Sequence, residues 1–253
     1  MGSNVGMPDE RPAHIVRVET FRLDRSPVTV GDFARFAKET GYSTSAEKFG
    51  NSGVFDMHRG EWRMVDGANW RHPLGKDASS APNDHPVTQV SWFDADTYCR
   101  HAGGRLPTEA EFEYAAKGAG QYGNPVYAFG EHVTHDGEFL VNIFTGHFPF
   151  ENDGADGYTY TAPVGKTGIT PLGLTDMAGN VWEWSNDWYR PYVSSRASHE
   201  EKSLRGGSFL CDEKVCHGYR TTARSHASPE TSLVHVGFRC AYDLKQEPLP
   251  EAP

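Results

Sequence analysis

The chain has 253 residues, and its 24 Lys and Arg against 34 Asp and Glu give a net charge of −10. Mean hydropathy is −0.61, and no stretch approaches the ~18 uninterrupted apolar residues that a membrane helix needs. An acidic surface repels phosphate backbones, although solubilising surface charge alone explains the same balance. We therefore expect neither nucleic acid nor a membrane as a partner.

The composition favours a fold with little regular secondary structure. The chain contains 27 glycines and 16 prolines, and aromatic residues make up 12% of it. We therefore expect large rings, rather than long helices, to fill the core. Because neither a repeat nor a linker divides the sequence, we predict one domain over residues 1–245. A loose tail over 246–253 and a monomeric state are also expected.

Three short helices are predicted from capping residues, apolar periodicity and closing glycines. The clearest starts at a capping box, in which the Thr108 and Glu111 side chains satisfy backbone amides reciprocally. The predicted limits are Thr29 to Gly41, Ser91 to Gly103-Gly104, and Thr108 to Gly118. The residues predicted to face the core are Phe33, Phe36 and Ala37, then Ala95, Tyr98, Cys99 and Ala102, and finally Phe112, Ala115 and Ala116.

Strands are predicted at His14–Phe21, at Val181–Trp184 and around Gly237–Tyr242. Between them, the stretches Gly60–Asp84 and Gly118–Gly173 are rich in Gly, Asn and Asp. Long irregular stretches inside a compact domain are typically functional, disordered or held by ions.

Two of the four cysteines, Cys211 and Cys216, follow the glycine-rich run Arg205-Gly206-Gly207-Ser208. Four interpretations stay open from the residues alone. A structural zinc site needs four ligands, usually in two close pairs, whereas Cys99 and Cys240 stand alone. The pair could otherwise be two core thiols without a role, or a disulfide closing a small loop. The fourth interpretation is a pair of soft thiolates that clamp Cu(I), which prefers sulfur.

A second candidate metal site is His132-x-x-His135 with Glu138 nearby. The chain has 12 histidines, so pairs at this spacing are expected by chance. No phosphate-binding loop or nucleophile elbow accompanies it.

Seven sequence blocks carry a family resemblance. They are Ala46-Glu47-Lys48-Phe49-Gly50, Gly67-Ala68-Asn69-Trp70-Arg71-His72-Pro73, Asp84-His85-Pro86-Val87, Val90-Ser91-Trp92, Gly104-Arg105-Leu106-Pro107-Thr108-Glu109-Ala110-Glu111, Gly179-Asn180-Val181-Trp182-Glu183-Trp184 and Gly237-Phe238-Arg239-Cys240. In this order they span nearly the whole chain and resemble the formylglycine-generating enzymes, or sulfatase-modifying factors. The resemblance implies an α+β fold related to C-type lectin folds. Several blocks also occur in relatives with other activities, so the pair Cys211 and Cys216 is the discriminating element.

The resemblance implies an oxidase that converts a cysteine of a target sulfatase, within an extended Cys-x-Pro-x-Arg segment, to formylglycine with O2. Cu(I) would be bound by the thiolates of Cys211 and Cys216, and the substrate thiolate would join them. Ser208 matches a serine of the family's active-site pocket. The substrate partner would be a sulfatase-type peptide or an unfolded protein.

The resemblance also implies two structural Ca2+ sites, which suit oxygen ligands from irregular backbone. The first would use the side chains of Asn142 and Asp156 with the carbonyls of Ile143 and Tyr158. The second would use the side chains of Asp176 and Glu183 with the carbonyls of Gly179 and Val181. A solvated turn is the alternative interpretation of Asp153, Asp156 and their glycine neighbours.

A disulfide between Cys99 and Cys240 is a further implication of the resemblance. So are substrate contacts at Asn51, Ser52 and Arg224, although a buried structural arginine is an equal alternative at Arg224.

The sequence departs from the family at several of these positions. Acidic residues that hold the peptide arginine are replaced by Pro27 and Asn51, while Ser52 is kept. Beside the thiol pair, Asp212 and Val215 replace a usual His and Tyr.

Three functional hypotheses follow. The first is the copper-dependent formylglycine-generating oxidase, and the second is the same oxidase chemistry on another substrate, which Pro27 and Asn51 favour. The third is a binding module without catalysis, which the lectin-like fold allows. No leader is recognisable at Met1, so a bacterial cytoplasmic location is expected. A secretory or periplasmic origin stays open, since a Cys99–Cys240 bridge favours an oxidising compartment.

Overall fold

A computed structural model describes residues 1–121, 123–193 and 199–244. The predicted tail over 246–253 lies outside the described residues. Within them the chain forms four α-helices and twelve short strands, with extended irregular segments between them. This confirms the predicted α+β class with little regular structure.

The helices are α1 (Val30–Thr40), α2 (Ser45–Phe49), α3 (Trp92–His101) and α4 (Glu109–Ala116). The strands are β1 (Phe21–Leu23), β2 (Asn51–Asp56), β3 (Glu61–Asp66), β4 (Thr134–His135), β5 (Glu138–Phe139), β6 (Gly146–His147), β7 (Glu151–Asn152), β8 (Trp182–Trp188), β9 (Lys202–Arg205), β10 (Ser225–Ala227), β11 (Val236–Gly237) and β12 (Ala241–Asp243). None of the described helices is long and apolar enough to cross a membrane.

The three predicted helices are confirmed as α1, α3 and α4. The side chains of Thr29, Ser91 and Thr108 each accept the backbone amide three residues ahead, at 3.0–3.2 Å. The predicted core faces are buried with two exceptions: Tyr98 is half-buried, and Ala102 is exposed. Ala102 was wrongly placed in the core, because α3 ends at His101 and the next residue turns outward.

Helix α2 and the hairpin of β2 and β3 were not predicted from the sequence. Thr44 and Glu47 form a capping box at the start of α2, and Gly50 ends it with a φ of 79°. Strand β2 then pairs antiparallel with β3, which lies inside the stretch predicted to be irregular. This hairpin carries two predicted substrate positions, Asn51 and Ser52.

A four-stranded sheet, ordered β10-β9-β8-β11, supports the centre of the molecule. Strand β8 runs antiparallel to β9 and parallel to β11, and contains residues 182–184 of the strand predicted at Val181–Trp184. The predicted strand around 237–242 is divided between β11 and β12. The predicted strand at 14–21 is mostly wrong, because only Phe21 enters β1, which pairs with β12.

The main hydrophobic core lies between α1, α3, α4 and this sheet, and it includes Cys99, Cys240 and Cys211. A second, smaller cluster consists of Phe55, Phe144, Phe209, Leu210 and Val234. Because Phe209 and Leu210 immediately precede Cys211, this smaller cluster anchors the segment that carries the candidate site.

Candidate functional site

A pair of glycines connects the end of β9 to the loop that carries Cys211 and Cys216. Gly206 and Gly207 have φ values of 95° and 75°, a region that L side chains rarely adopt. A Cβ on Gly207 would lie 2.5 Å from the backbone nitrogen of Tyr219. Two hydrogen bonds then fix the turn, from the Gly179 amide to the Gly206 carbonyl (2.8 Å) and from the Phe209 amide to the Asn180 carbonyl (3.0 Å). The glycine-rich approach is therefore a steric requirement of this loop.

Cys211 and Cys216 are adjacent at the end of this loop. Their Cα atoms are 4.9 Å apart, and the structure joins their sulfurs in a disulfide. Cys211 is buried, with 1% of its surface exposed, whereas Cys216 lies at the surface. Reduction of this bond would leave two neighbouring soft sulfur donors, one of them accessible. Such a donor set fits Cu(I).

The other two cysteines are joined in a second disulfide, with Cys99 and Cys240 Cα atoms 5.5 Å apart. Both residues are fully buried. Because all four cysteines are paired in this way, a zinc site that combines both pairs is not formed.

Ser208 lies beneath the buried sulfur. Its side chain is fully buried, and its Oγ lies 4.0 Å from the Cys211 Sγ. The same Oγ accepts a hydrogen bond of 3.2 Å from the Leu210 amide. Ser208 is therefore a fixed polar group beside the thiol pair, as the sequence placed it.

Three aromatic residues around Cys216 were not identified as site residues from the sequence. A Cβ on Gly218 would lie 2.4 Å from the Trp182 indole and 2.9 Å from the Cys216 sulfur, so these groups pack together. The His217 Nε2 and the Tyr127 hydroxyl are 3.0 Å apart, and burial lowers the pKa of His217. Adjacency to Cys216 could have indicated His217, and the Gly179–Trp184 block could have indicated Trp182. Tyr127 comes from a stretch without a motif.

Asp212 orders the loop between the two cysteines. Its carboxylate accepts the Val215 amide at 2.7 Å, and its carbonyl accepts the His217 amide at 2.7 Å. The Val215 side chain is 65% exposed. Asp212, which replaces the usual His of the family, is thus a turn residue in this structure, and this is a frequent role of aspartate.

The substrate positions on the hairpin differ in accessibility. Asn51 is partly exposed at the start of β2, whereas Ser52 is buried and donates to the Gln89 side chain and to the Ser232 carbonyl (2.8 Å). Pro27 is also buried. Of these positions, Asn51 alone offers an accessible polar group in this structure.

Arg224 is part of the core rather than of a binding surface. Its side chain is 1% exposed and forms hydrogen bonds from Nε and a terminal nitrogen to both carboxylate oxygens of Glu109. The rings of Tyr189 and Tyr192 cover the guanidinium at 4.6 and 3.9 Å. In this structure the guanidinium is thus occupied by Glu109 and the two rings, as expected for a structural arginine, and the substrate contact at Arg224 stays a prediction.

The first candidate calcium set contains an unsatisfied oxygen. The Oδ1 of Asn142 is buried without a hydrogen-bond partner among the described residues, and such a group is costly unless something occupies it. Asp156 lies close by, because its carboxylate accepts the amides of Ile143 (2.8 Å) and Tyr158 (3.0 Å). Burial raises the pKa of Asp156. An oxygen-binding cation would satisfy both groups, so these residues fit Ca2+.

The second candidate set contains more negative than positive charge. Glu183 is completely buried and both its oxygens accept bonds of 2.7 Å from Arg239. Burial raises the pKa of Glu183, and Asp176 and Asp24 repel its charge. Asp176 and Asp24 therefore add negative charge near the Glu183–Arg239 pair, which fits an additional cation beside Glu183.

The candidate pair His132 and His135 lies on the exposed hairpin of β4 and β5, where His135 faces Glu138 across the strands. Among the described residues, no three His, Cys, Asp or Glu side chains form a cluster that could hold a metal ion. Each of the two candidate calcium sets would combine at most two carboxylates with amide or carbonyl oxygens.

Comparison with known proteins defines the class and then the family. The fold is similar to that of PvdO from Pseudomonas aeruginosa, with a TM-score of 0.67 and 25% identity over 94% of this chain and 86% of that one. A family model described as the sulfatase-modifying factor enzyme 1-like domain matches residues 1–244. The chain belongs to this family.

The chain is also similar to proteins named formylglycine-generating enzyme. It is 43% identical over 259 residues to the one of Streptomyces coelicolor, covering 92% of this chain and 82% of that protein. It is 41% identical over 258 residues to the one of Mus musculus, covering 92% and 69%. A Mus musculus protein named inactive C-alpha-formylglycine-generating enzyme 2 is 36% identical over 256 residues, covering 93% and 79%. Similarity to these proteins therefore does not establish activity, which depends on the residues of the site.

Proposed function

We propose that this chain is a copper-dependent oxidase that uses O2 to convert the cysteine of a sulfatase-type Cys-x-Pro-x-Arg segment to formylglycine. The adjacent sulfurs of Cys211 and Cys216, one buried and one at the surface, carry this proposal. The relatives named formylglycine-generating enzyme support it. A binding module without catalysis would have no need for an accessible thiol pair on a sterically fixed loop.

The proposed reaction oxidises the substrate side chain and reduces O2. The substrate thiol loses two electrons and two hydrogens, from Cβ and sulfur, to become a thioaldehyde. O2 takes these and two electrons and two protons from two molecules of an external thiol, giving two waters and a disulfide. Water then hydrolyses the thioaldehyde to the aldehyde and hydrogen sulfide. Bound copper would supply the electron transfer that activates O2, which amino-acid side chains supply poorly.

The residues of the chain provide position and environment. Cys216 presents a sulfur at the surface where a substrate thiol can approach, while Cys211 holds the other sulfur in the core. The Trp182 indole and the Cys216 sulfur both lie against Gly218, and Ser208 has a polar Oγ 4.0 Å from the Cys211 sulfur. The cations at the Asn142 and Glu183 sets are proposed to be structural Ca2+, which would order the loops that support the site.

A second candidate function keeps the oxidase chemistry but changes the substrate. Asn51 is neutral where a peptide arginine would need a carboxylate, and Ser52 is already committed to Gln89 and Ser232. A neutral amide replaces a charge-assisted bond, which typically contributes about 1.5–3 kcal/mol. Conversion of peptides that lack the arginine would favour this second function.

The test is mass spectrometry of a Cys-x-Pro-x-Arg peptide incubated aerobically with reduced, Cu(I)-loaded protein and an excess thiol. We expect a mass loss that matches conversion of thiol to aldehyde. Cys211→Ser and Cys216→Ser should abolish it, whereas Val215→Ala, an exposed residue of the same loop, should retain it. Conversion by either cysteine variant at the wild-type rate would contradict the proposal.

A further inference from the structure

A cleft of about 420 Å³ is lined in part by the exposed residue Cys216. One wall is formed by residues 5–8 together with Arg11, and the other by residues 213–217 together with Arg220. Because Cys216 itself lines the cleft, a peptide whose thiol meets the cysteine pair would have its neighbouring residues in or beside it.

The charges of the cleft are mostly positive, on a chain whose net charge is −10. Arg220 is neutralised, since its guanidinium donates to both oxygens of the buried Glu10, one bond being 2.8 Å. Arg11 donates its Nε to the Gly6 carbonyl at 2.7 Å. Within the described ranges, neither Arg11 nor Lys214 forms an ion pair, and Glu213 is the one carboxylate in the lining.

Apolar side chains accompany these cations. Met7 and Val215 line the cleft and are 58% and 65% exposed. A surface that combines apolar contact with unpaired cations suits an extended segment that carries a carboxylate beside small apolar groups.

The hairpin positions expected to hold a peptide arginine carry no negative charge themselves, although the exposed Asp66 lies opposite Asn51 in the pairing of β2 with β3. Asn51 is neutral, and Pro27 and Ser52 are buried. Charge selection for the residues next to the target cysteine is expected to come from the cleft, because the cleft borders Cys216.

We propose that Arg11 and Lys214 are specificity determinants that select substrates with an acidic residue directly flanking the target cysteine. The inference rests on the proposed function, because it takes Cys216 as part of the reacting site. It names a substrate preference that the Cys-x-Pro-x-Arg segment does not contain.

Binding can be tested separately from chemistry. Peptides with Ser in place of the target Cys, and with Glu, Gln or Lys at the flanking positions, are titrated by fluorescence anisotropy at low salt without copper. Exposed ion pairs contribute modestly and are screened by salt, so the Glu peptide should bind about two- to fivefold more tightly than the Gln peptide. The Lys peptide should bind most weakly.

A charge reversal makes the test specific to the cleft. The double variant Arg11→Glu, Lys214→Glu should invert the order, so that the Lys peptide binds best. The matched control Arg35→Glu, Lys38→Glu, which changes two cations on α1, should keep the wild-type order. Equal binding of the Glu and Gln peptides by the wild type, or the wild-type order in the cleft variant, would overturn the inference.

Conversion assays with the cysteine forms of the same peptides separate the two proposals. Acidic preference in binding without conversion of any peptide would refute the oxidase and leave the cleft assignment standing. Conversion without acidic preference would refute the cleft assignment alone.

Discussion

A single buried polar side chain, that of Asn142, indicates a cation in this region. Asn142 places an unpartnered Oδ1 in the interior while its amide nitrogen donates to the Tyr160 carbonyl at 2.9 Å. An orphaned buried oxygen costs about 1–3 kcal/mol unless it is satisfied. Its position in an otherwise hydrogen-bonded network is the strongest structural sign of a cation in this region.

Addition of Ca2+ should therefore stabilise the protein through Asn142. At a free concentration of 100 times Kd, one bound ion raises the free energy of unfolding by about 2.7 kcal/mol. Thermal unfolding with Ca2+ and with a chelator measures this. Asn142→Ala should remove a large part of the calcium-dependent shift, whereas Asn186→Ala, at an exposed position of β8, should leave it intact. An equal shift in wild type and Asn142→Ala would exclude this ligand.

Glu111 should make stability depend on pH. Burial alone would raise its pKa, but hydrogen bonds from Arg105 and Thr108 hold the pKa below the usual value. Because the folded pKa is the lower one, the stabilisation is complete above the unfolded value of about 4.3 and is lost as pH falls through the folded pKa. Urea unfolding should show Glu111→Gln less stable than wild type at pH 7, with a gap that narrows in acid. A difference in stability between variant and wild type that is the same at every pH would contradict this prediction. The control Glu138→Gln, at an exposed residue, should be as stable as the wild type.

Local signals determine the helices, whereas pairing partners determine the strands. The caps at Thr29, Ser91 and Thr108 involve residues three positions apart, so the sequence alone predicts them. Residues 14–20 alternate like a strand, but among the described residues they have no neighbouring strand to pair with. The β2–β3 hairpin was missed because Gly53 and Gly60 interrupt its pattern. Gly53 fits closely under Leu233, since a Cβ there would lie 2.4 Å from that side chain.

Substitution of Gly207 tests whether close packing requires a glycine in the cysteine loop. Gly207 and Gly103 have similar φ values, 75° and 78°, but a Cβ on Gly103 meets nothing within 4 Å. Alanine at either position incurs the left-handed strain of roughly 1–2 kcal/mol, and at Gly207 it also collides with Tyr219. We expect Gly207→Ala to lose several times more stability in denaturant unfolding than Gly103→Ala, and to weaken Cu(I) binding. Equal losses would show that the close approach is unimportant.

The whole molecule is tied together over long sequence distances. The Cys99–Cys240 bridge spans 141 residues and joins α3 to the segment before β12. Arg239, immediately before Cys240, is fully buried on Glu183. The sequence could indicate such residues as conspicuous types in family-like blocks. It could not show that Arg224 and Ser52 point into the core, since that depends on Glu109, Gln89 and Ser232 from distant parts of the chain.

The two disulfides should differ in their contribution to stability. In the loop-entropy model, a bridge spanning 141 residues contributes about 5 kcal/mol, and one spanning 5 residues about 2 kcal/mol. Denaturant unfolding of Cys99→Ser/Cys240→Ser and Cys211→Ser/Cys216→Ser, both without metal, compares them. A larger loss of stability in Cys211→Ser/Cys216→Ser than in Cys99→Ser/Cys240→Ser would contradict this expectation.

Anaerobic titration of Cu(I) into the reduced protein, in competition with a chromophoric chelator, tests the central claim most directly. The account predicts one tightly bound Cu(I) per chain, lost in both Cys211→Ser and Cys216→Ser and kept in Val215→Ala. Failure of the wild type to bind copper, or stoichiometric binding by either cysteine variant, would contradict it.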